Sequence, residues 1–271
     1  MKSILLHIDQ DAAFPARLQV ALDIARETNG HITCLQAISY DIFTPGDVYG
    51  AAMAAALPVI RDNAEAQRAA IERELAHEGV PWDWHFVYGM AGQRLIEASP
   101  LADLVILGPA ENGMGGRGPS SLVGEVVLKA RAPVLVVPGE AKSFDIGAPM
   151  LVAWNGSAES AHALRAALSL LACSCKVTLA SIAEGEGPGG FDLPSTEGAR
   201  YLSRHGIDCE MVAIPRGEGG IAETLEAAAR MRECSLIVMG AYGHARLAEL
   251  LFGGVTRKML SAPELPILLA H

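Results

Sequence analysis

Positive charge is scarce in this sequence. Only 21 Lys plus Arg stand against 31 Asp plus Glu, leaving a net charge of −10 over 271 residues. That balance repels phosphate backbones and anionic membrane surfaces, so neither nucleic-acid binding nor membrane-surface binding is expected. Long apolar runs are missing as well. A membrane span needs ~18 or more apolar residues, and the longest run here, residues 51–60, is mostly alanine and contains Pro58. The opening Met1-Lys2-Ser3 leads straight into a strand-like segment with no signal-peptide pattern. Cysteine is sparse: five residues at irregular spacing, with Cys173-x-Cys175 the only close pair. The expectation is a reduced, cytoplasmic protein whose cysteines are small buried thiols. There is also no Gly-Lys-Ser/Thr P-loop, no His-Glu-x-x-His, no Cys-x-x-Cys and no Gly-x-Ser-x-Gly elbow.

What is present is enough apolar material for a large core. Apolar residues make up 51% of the chain and charged residues 19%, and at ~100–200 residues per domain the length favours two domains. The chain reads as one unit written twice. The first copy opens with an apolar run over 4–9 ending in Asp9, and a helix over 15–29 follows, with Leu18, Leu22 and Ala25 at helical spacing between Pro15 and Gly30. Strands are expected over 31–37, 84–87, 103–107 and 134–137. Helices are expected through Ala64, Ile71 and Leu75, over 91–99 and near 122–131. The second copy repeats the order, with strands over 150–154, 177–182, 209–214, 235–239 and 267–269. Its helices run over 158–172, up to Gly206, over 221–231 and over 254–261. Leu104-Val105-Ile106-Leu107-Gly108 falls on Leu236-Ile237-Val238-Met239-Gly240. The fold class is therefore α/β, two tandem repeats of a five-stranded parallel sheet with helices on both faces. The expected domains are 1–140 and 147–271, joined by a polar linker over 139–147.

In such sheets small ligands bind beyond the carboxyl ends of the strands, where the winding direction reverses. That singles out Asp9 and Gly108 in the first half and Asn155 and Gly240 in the second. Gly240-Ala-Tyr-Gly243-His244-Ala-Arg246 leaves the fourth strand of the second half, and Gly253-Gly254-Val255-Thr256 opens its last helix. Glycines at the strand exit let the backbone approach a ligand closely. Free amides at a helix start suit phosphate oxygens, with the Thr256 hydroxyl and the His244 and Arg246 side chains as further donors.

The pattern Gly-x2-Gly-x9-Gly-Gly, placed before the last helix and strand, resembles the ATP-binding motif of the universal stress protein family. Two copies resemble its tandem members. The resemblance implies an adenine nucleotide alpha hydrolase-like fold and a cytoplasmic, stress-linked regulator that binds ATP, with or without Mg2+, in its second half. By the same resemblance, Gly240, Gly243, Gly253, Gly254, Val255 and Thr256 would cradle phosphate and ribose. Asn155 would replace the family's first-strand Asp, and Ile182 would lie beside the adenine. Two departures stand out: Gly254 lacks the family's usual hydroxyl, and Asn155 brings no carboxylate. No residue is suited to activating water, so hydrolysis is expected to be slow at most. The alternatives are a protein-interaction module with both sites vestigial, and a nucleotide-dependent transferase or ligase on the same fold.

The first half keeps Asp9 but has Glu111 where the second glycine belongs and Glu125 near its last helix, so a site free of phosphate is expected there. Gly113-Met-Gly115-Gly-Arg-Gly118 is read as a decoy rather than a dinucleotide fingerprint, because it does not leave the strand directly. Gly185-Glu-Gly-Pro-Gly-Gly190 is read as a flexible loop over the second site. His7 is read as a core or edge residue, Trp82 and Trp84 as packing, and the acids between Asp62 and Glu78 as a solvated face. The two closing strands, each at an exposed edge, are expected to meet as an internal pseudo-dimer. A further homodimer and an unknown protein partner remain open.

Overall fold

A computed structural model of the chain describes residues 1–38, 48–109, 120–183, 196–241 and 254–271, and for 48–57 the backbone alone. The first half runs β1 (Ser3–Ile8), α1 (Phe14–Thr28), β2 (His31–Ile38), α2 (Val48–Leu75), β3 (Trp82–Tyr88), α3 (Ala91–Ala98), β4 (Leu104–Leu107), α4 (Ser121–Lys129) and β5 (Val134–Val136). The second runs β6 (Met150–Ala153), α5 (Ala158–Ala166), α6 (Leu168–Leu171), β7 (Val177–Ala183), α7 (Glu197–Arg204), β8 (Cys209–Pro215), α8 (Gly220–Met231), β9 (Leu236–Gly240), α9 (Gly254–Ser261) and β10 (Ile267–Ala270).

The ten strands form one sheet in the order β3-β2-β1-β4-β5-β10-β9-β6-β7-β8. Each half is parallel within itself, and the halves join where β5 and β10 pair antiparallel, Val136 opposite Ile267, Leu135 opposite Leu268 and Val134 opposite Leu269. Strand residues alternate between two cores, because side chains one apart point to opposite faces. Ile4, Leu6, Leu135, Val152 and Leu268 lie under α1, α2, α5, α6 and α7 on one face. Leu5, Val105, Val134, Leu151 and Leu269 lie under α3, α4, α8 and α9 on the other. Both cores run without interruption through both halves.

Three expectations need correction, and one helix is longer than its sequence signal shows. The linker is not a polar spacer: Phe144 and Ile146 are buried in the first of these cores, and the Phe144 amide donates to Asp23 Oδ2 at 2.9 Å. The helix through Ala64 already begins at Val48, its run of alanines outweighing the internal Pro58. The helix over 158–172 divides at Ala167 into α5 and α6, a break with no signal in the sequence. Finally, not all the thiols are buried. Cys34 and Cys234 are, but Cys173 and Cys175 are exposed and Cys209 is half-buried, because the turn before β7 stands at the surface. His7 is buried, while Trp82 and Trp84 pack half-buried against the core. Asp62 and Glu74 face solvent. Among the described residues no helix is long and apolar enough to cross a membrane.

Burial, reinforced by the carboxylates of Asp83 and Glu72, pushes the Cys34 thiol up to about 12. Since the thiolate is the reactive form, an alkylating agent at neutral pH is expected to label Cys173 and Cys175 first. Cys34 should react only after unfolding. Peptide mass spectrometry of the native protein checks this, and equal labelling of Cys34 and Cys173 would contradict it.

Candidate functional site at the strand exits

The winding reverses at β1, which lies between β2 and β4, and at β6, which lies between β7 and β9. Loops leaving adjacent strands diverge there and open a crevice. In the second half the loop leaving β6 is fixed by short polar contacts. Asn155 is exposed, and its Oδ1 accepts from the Ser157 amide at 3.1 Å. Ser157 caps α5 by accepting from the Ser160 amide at 3.2 Å. Gly156 between them has φ +74°, a conformation that favours glycine. The Ser181 hydroxyl donates to the Trp154 carbonyl at 2.7 Å and ties the exits of β7 and β6 together. With its oxygen engaged, Asn155 offers a ligand the two donors of its amide nitrogen, the opposite polarity to a carboxylate.

Ile182 and Val255 pack against the same core, the one under α8 and α9. Helix α9 connects the parallel strands β9 and β10, so its first turn lies on the side where β9 ends. At Gly254 a Cβ would meet nothing within 4 Å among the described residues. Gly240 is different. A Cβ there would lie 2.6 Å from the Glu159 carbonyl carbon and 2.7 Å from the Ser160 nitrogen. Glycine at 240 is thus already demanded by the first turn of α5 crossing the strand exit. Thr256, two residues into the helix, is buried, 5% exposed. Gly243, His244, Arg246 and Gly253 lie outside the described residues, as do Glu111, the Gly113–118 stretch and the glycine-rich loop at 185–190.

In the first half the expectation for Glu125 fails. Strand register aligns Val134 with Ile267, since these pair with Val105 and Ile237. Counting back from those strands places Ser121, not Glu125, opposite Gly254. Helix α4 accordingly starts at Ser121, and the Ser120 hydroxyl caps it by accepting from the Val123 amide at 3.1 Å. Glu125 sits one turn further on, its carboxylate 3.0 Å from Lys129 and pressed towards Gly92 of α3. It neither occupies the helix start nor opposes an anion there. Matching Gly124 to Gly253 misplaced the helix start; with Ser121 opposite Gly254, the segment from Gly108 to the last helix is one residue shorter than the segment from Gly240.

One residue at these exits went unnoticed in the sequence. Arg17 of α1 is completely buried. The signal was available, because nearly every other residue of that helix from Phe14 to Ala25 is apolar.

The Universal stress protein family matches residues 148–271. No curated protein matches the chain. Among solved structures, a universal stress protein from Archaeoglobus fulgidus DSM 4304 is similar over 98% of this chain and 97% of its own, with TM-score 0.75 at 16% identity. A protein of unknown function from Pseudomonas aeruginosa PAO1 is similar over 100% of this chain and 92% of its own, with TM-score 0.57 at 17% identity. These likenesses show a shared fold that extends through both halves.

Proposed function

Because residues 148–271 belong to the universal stress protein family, we propose that the second half binds an adenine nucleotide, ATP, at the exits of β6 and β9, as the ligand of a stress-response regulator. The observation that carries this reading is the first turn of α9 at Gly254, where a Cβ would meet none of the described residues within 4 Å, on the side where β6 and β9 end and the winding reverses. Free amides in that turn would take phosphate oxygens, with the helix dipole adding to their pull. The exposed Asn155 would donate to ribose or base, and Ile182 would offer an apolar wall to the adenine. A bound Mg2+ would neutralise phosphate charge. With an amide rather than a carboxylate at 155, the nucleotide acts mainly as a conformational ligand, and any turnover is slow.

The test is titration calorimetry with ATP on the full chain and on Gly243→Val. The variant is expected to bind at least roughly tenfold more weakly, ~1.4 kcal/mol, with an unchanged unfolding midpoint. Equal affinity in the two proteins would remove the glycine cradle from the reading.

A second reading, a protein-interaction module, is favoured by one observation. Arg131, Arg165, Arg200 and Arg204 border two adjoining grooves around Tyr201, of about 340 and 500 Å³. None of the four has an ion pair among the described residues, a property shared by Arg73, Arg216, Arg232 and Arg257 elsewhere, so it is their clustering that distinguishes them. On a chain of net charge −10, unpaired cations gathered in one place suit an acidic partner. Absence of any ATP binding by the wild-type chain would shift the balance to this reading.

A further inference from the structure

A buried cation at the strand exits of the first half is only partly satisfied. Arg17 is 0% exposed. Its Nη1 donates to Asp11 Oδ2 at 2.7 Å, and its guanidinium carbon lies 5.7 Å from the centre of the Phe14 ring. Its Nε and Nη2 are buried and have no hydrogen-bond partner among the described residues. Those two nitrogens share one edge of the guanidinium, and their N–H bonds run parallel, a fork that matches two oxygens carried on one atom. A desolvated guanidinium edge with nothing to donate to is unfavourable enough to call for an occupant.

The position of this edge is that of a ligand site. A Cβ at Gly108 would stand 2.2 Å from Arg17 Nη1, so glycine at the β4 exit is what allows the guanidinium to rest there. The matched glycine of the second half, Gly240, is covered by the backbone of α5 instead. The difference arises because α1 starts five residues beyond Asp9, whereas α5 starts three beyond Asn155. The place filled by a helix start in one half holds a cationic side chain in the other, and α1 itself opens without a side-chain cap. Asp9 and Pro109, on either side, are half-buried.

We propose that the Nε–Nη2 edge of Arg17 binds the carboxylate of a small monocarboxylic acid at the β1–β4 exits. This site is independent of nucleotide binding in the second half. Charge selects the class. Asp11 already neutralises the guanidinium, and Asp9 leaves β1 two residues earlier, so each added negative charge meets repulsion. A carboxylate adds one such charge and a phosphate dianion two, while both present the required pair of oxygens.

The experiment uses the full chain with 15N-labelled arginine, titrated with acetate, with inorganic phosphate and with chloride at constant ionic strength. Acetate is expected to shift the slowly exchanging Nε–H signal of Arg17 saturably, and at lower concentration than phosphate does. Arg17→Lys, which keeps the charge but loses the fork, should weaken acetate binding in calorimetry by roughly tenfold or more while leaving ATP binding as it is in the wild type. If the variant does not fold, the wild-type signal decides alone. No saturable response to acetate, an equal response to chloride, tighter binding of phosphate, or undiminished acetate binding by Arg17→Lys would each overturn the proposal.

Discussion

Gly240→Ala is expected to destabilise the protein by about 1–3 kcal/mol, the usual range for overpacking a filled site, with no nucleotide present. The added methyl would lie 2.6, 2.7 and 2.8 Å from the Glu159 carbonyl carbon, the Ser160 nitrogen and the Glu159 Cβ. Two of those three atoms belong to the backbone, so no rotamer change relieves the contact and α5 has to move as a body. That shift would disturb the Ser157 cap and the Asn155 turn, so ligand affinity should fall as a consequence of the packing change. Gly254→Ala is the control. Its methyl meets none of the described residues within 4 Å, so no overpacking cost is expected there. Denaturant unfolding of the two variants therefore separates a glycine required by packing from one that leaves room for a ligand. A wild-type midpoint for Gly240→Ala would mean that α5 yields without cost.

This contrast also shows what the sequence could and could not reveal. The positions of the strands were legible because each is a short apolar block, and α1 was legible from Pro15 and Gly30 at its ends. The repeat was legible because matching strand blocks precede matching exits. The reason for a glycine was not: Gly240 and Gly254 look alike in a motif, yet a Cβ at one would meet backbone and at the other would meet none of the described residues. Register between Gly108 and the last helix was also hidden, since Gly124 looks like the motif glycine while the helix begins at Ser121. Phe144 and Ile146 read as parts of a polar linker because their neighbours are charged or small, while their burial depends on a core that both halves build together. Arg17 was passed over because helical periodicity draws attention to the apolar positions around it.

The separated halves, 1–140 and 147–271, are expected to associate with each other in solution rather than persist as two stable monomers. The motive is the central strand pair. Val134, Leu135, Val136, Ile267, Leu268 and Leu269 are each at most 1% exposed, and they face one another across an antiparallel ladder of three residue pairs. Cutting the chain would leave each half with an apolar edge strand whose backbone donors and acceptors lack partners, an arrangement that promotes pairing. Burying six such side chains is worth on the order of 10 kcal/mol at ~1.5–3 kcal/mol each. Since part of each side chain would stay covered in an isolated half, that figure is an upper bound. Association costs roughly 4–15 kcal/mol in lost motional freedom, so the strand pair by itself would give modest affinity. Continuity of the cores on both faces tips the balance. Phe144 and Ile146 of the connecting segment pack into the core beneath α1 and α5, and α5 lies over β10 as well as β9. Equimolar mixing should therefore yield a one-to-one complex in analytical ultracentrifugation, with residues 147–271 alone prone to pair with themselves through β10. If both halves sediment as folded monomers and show no mutual affinity, the junction contributes little. The single ten-stranded sheet would then be held together by the chain connection.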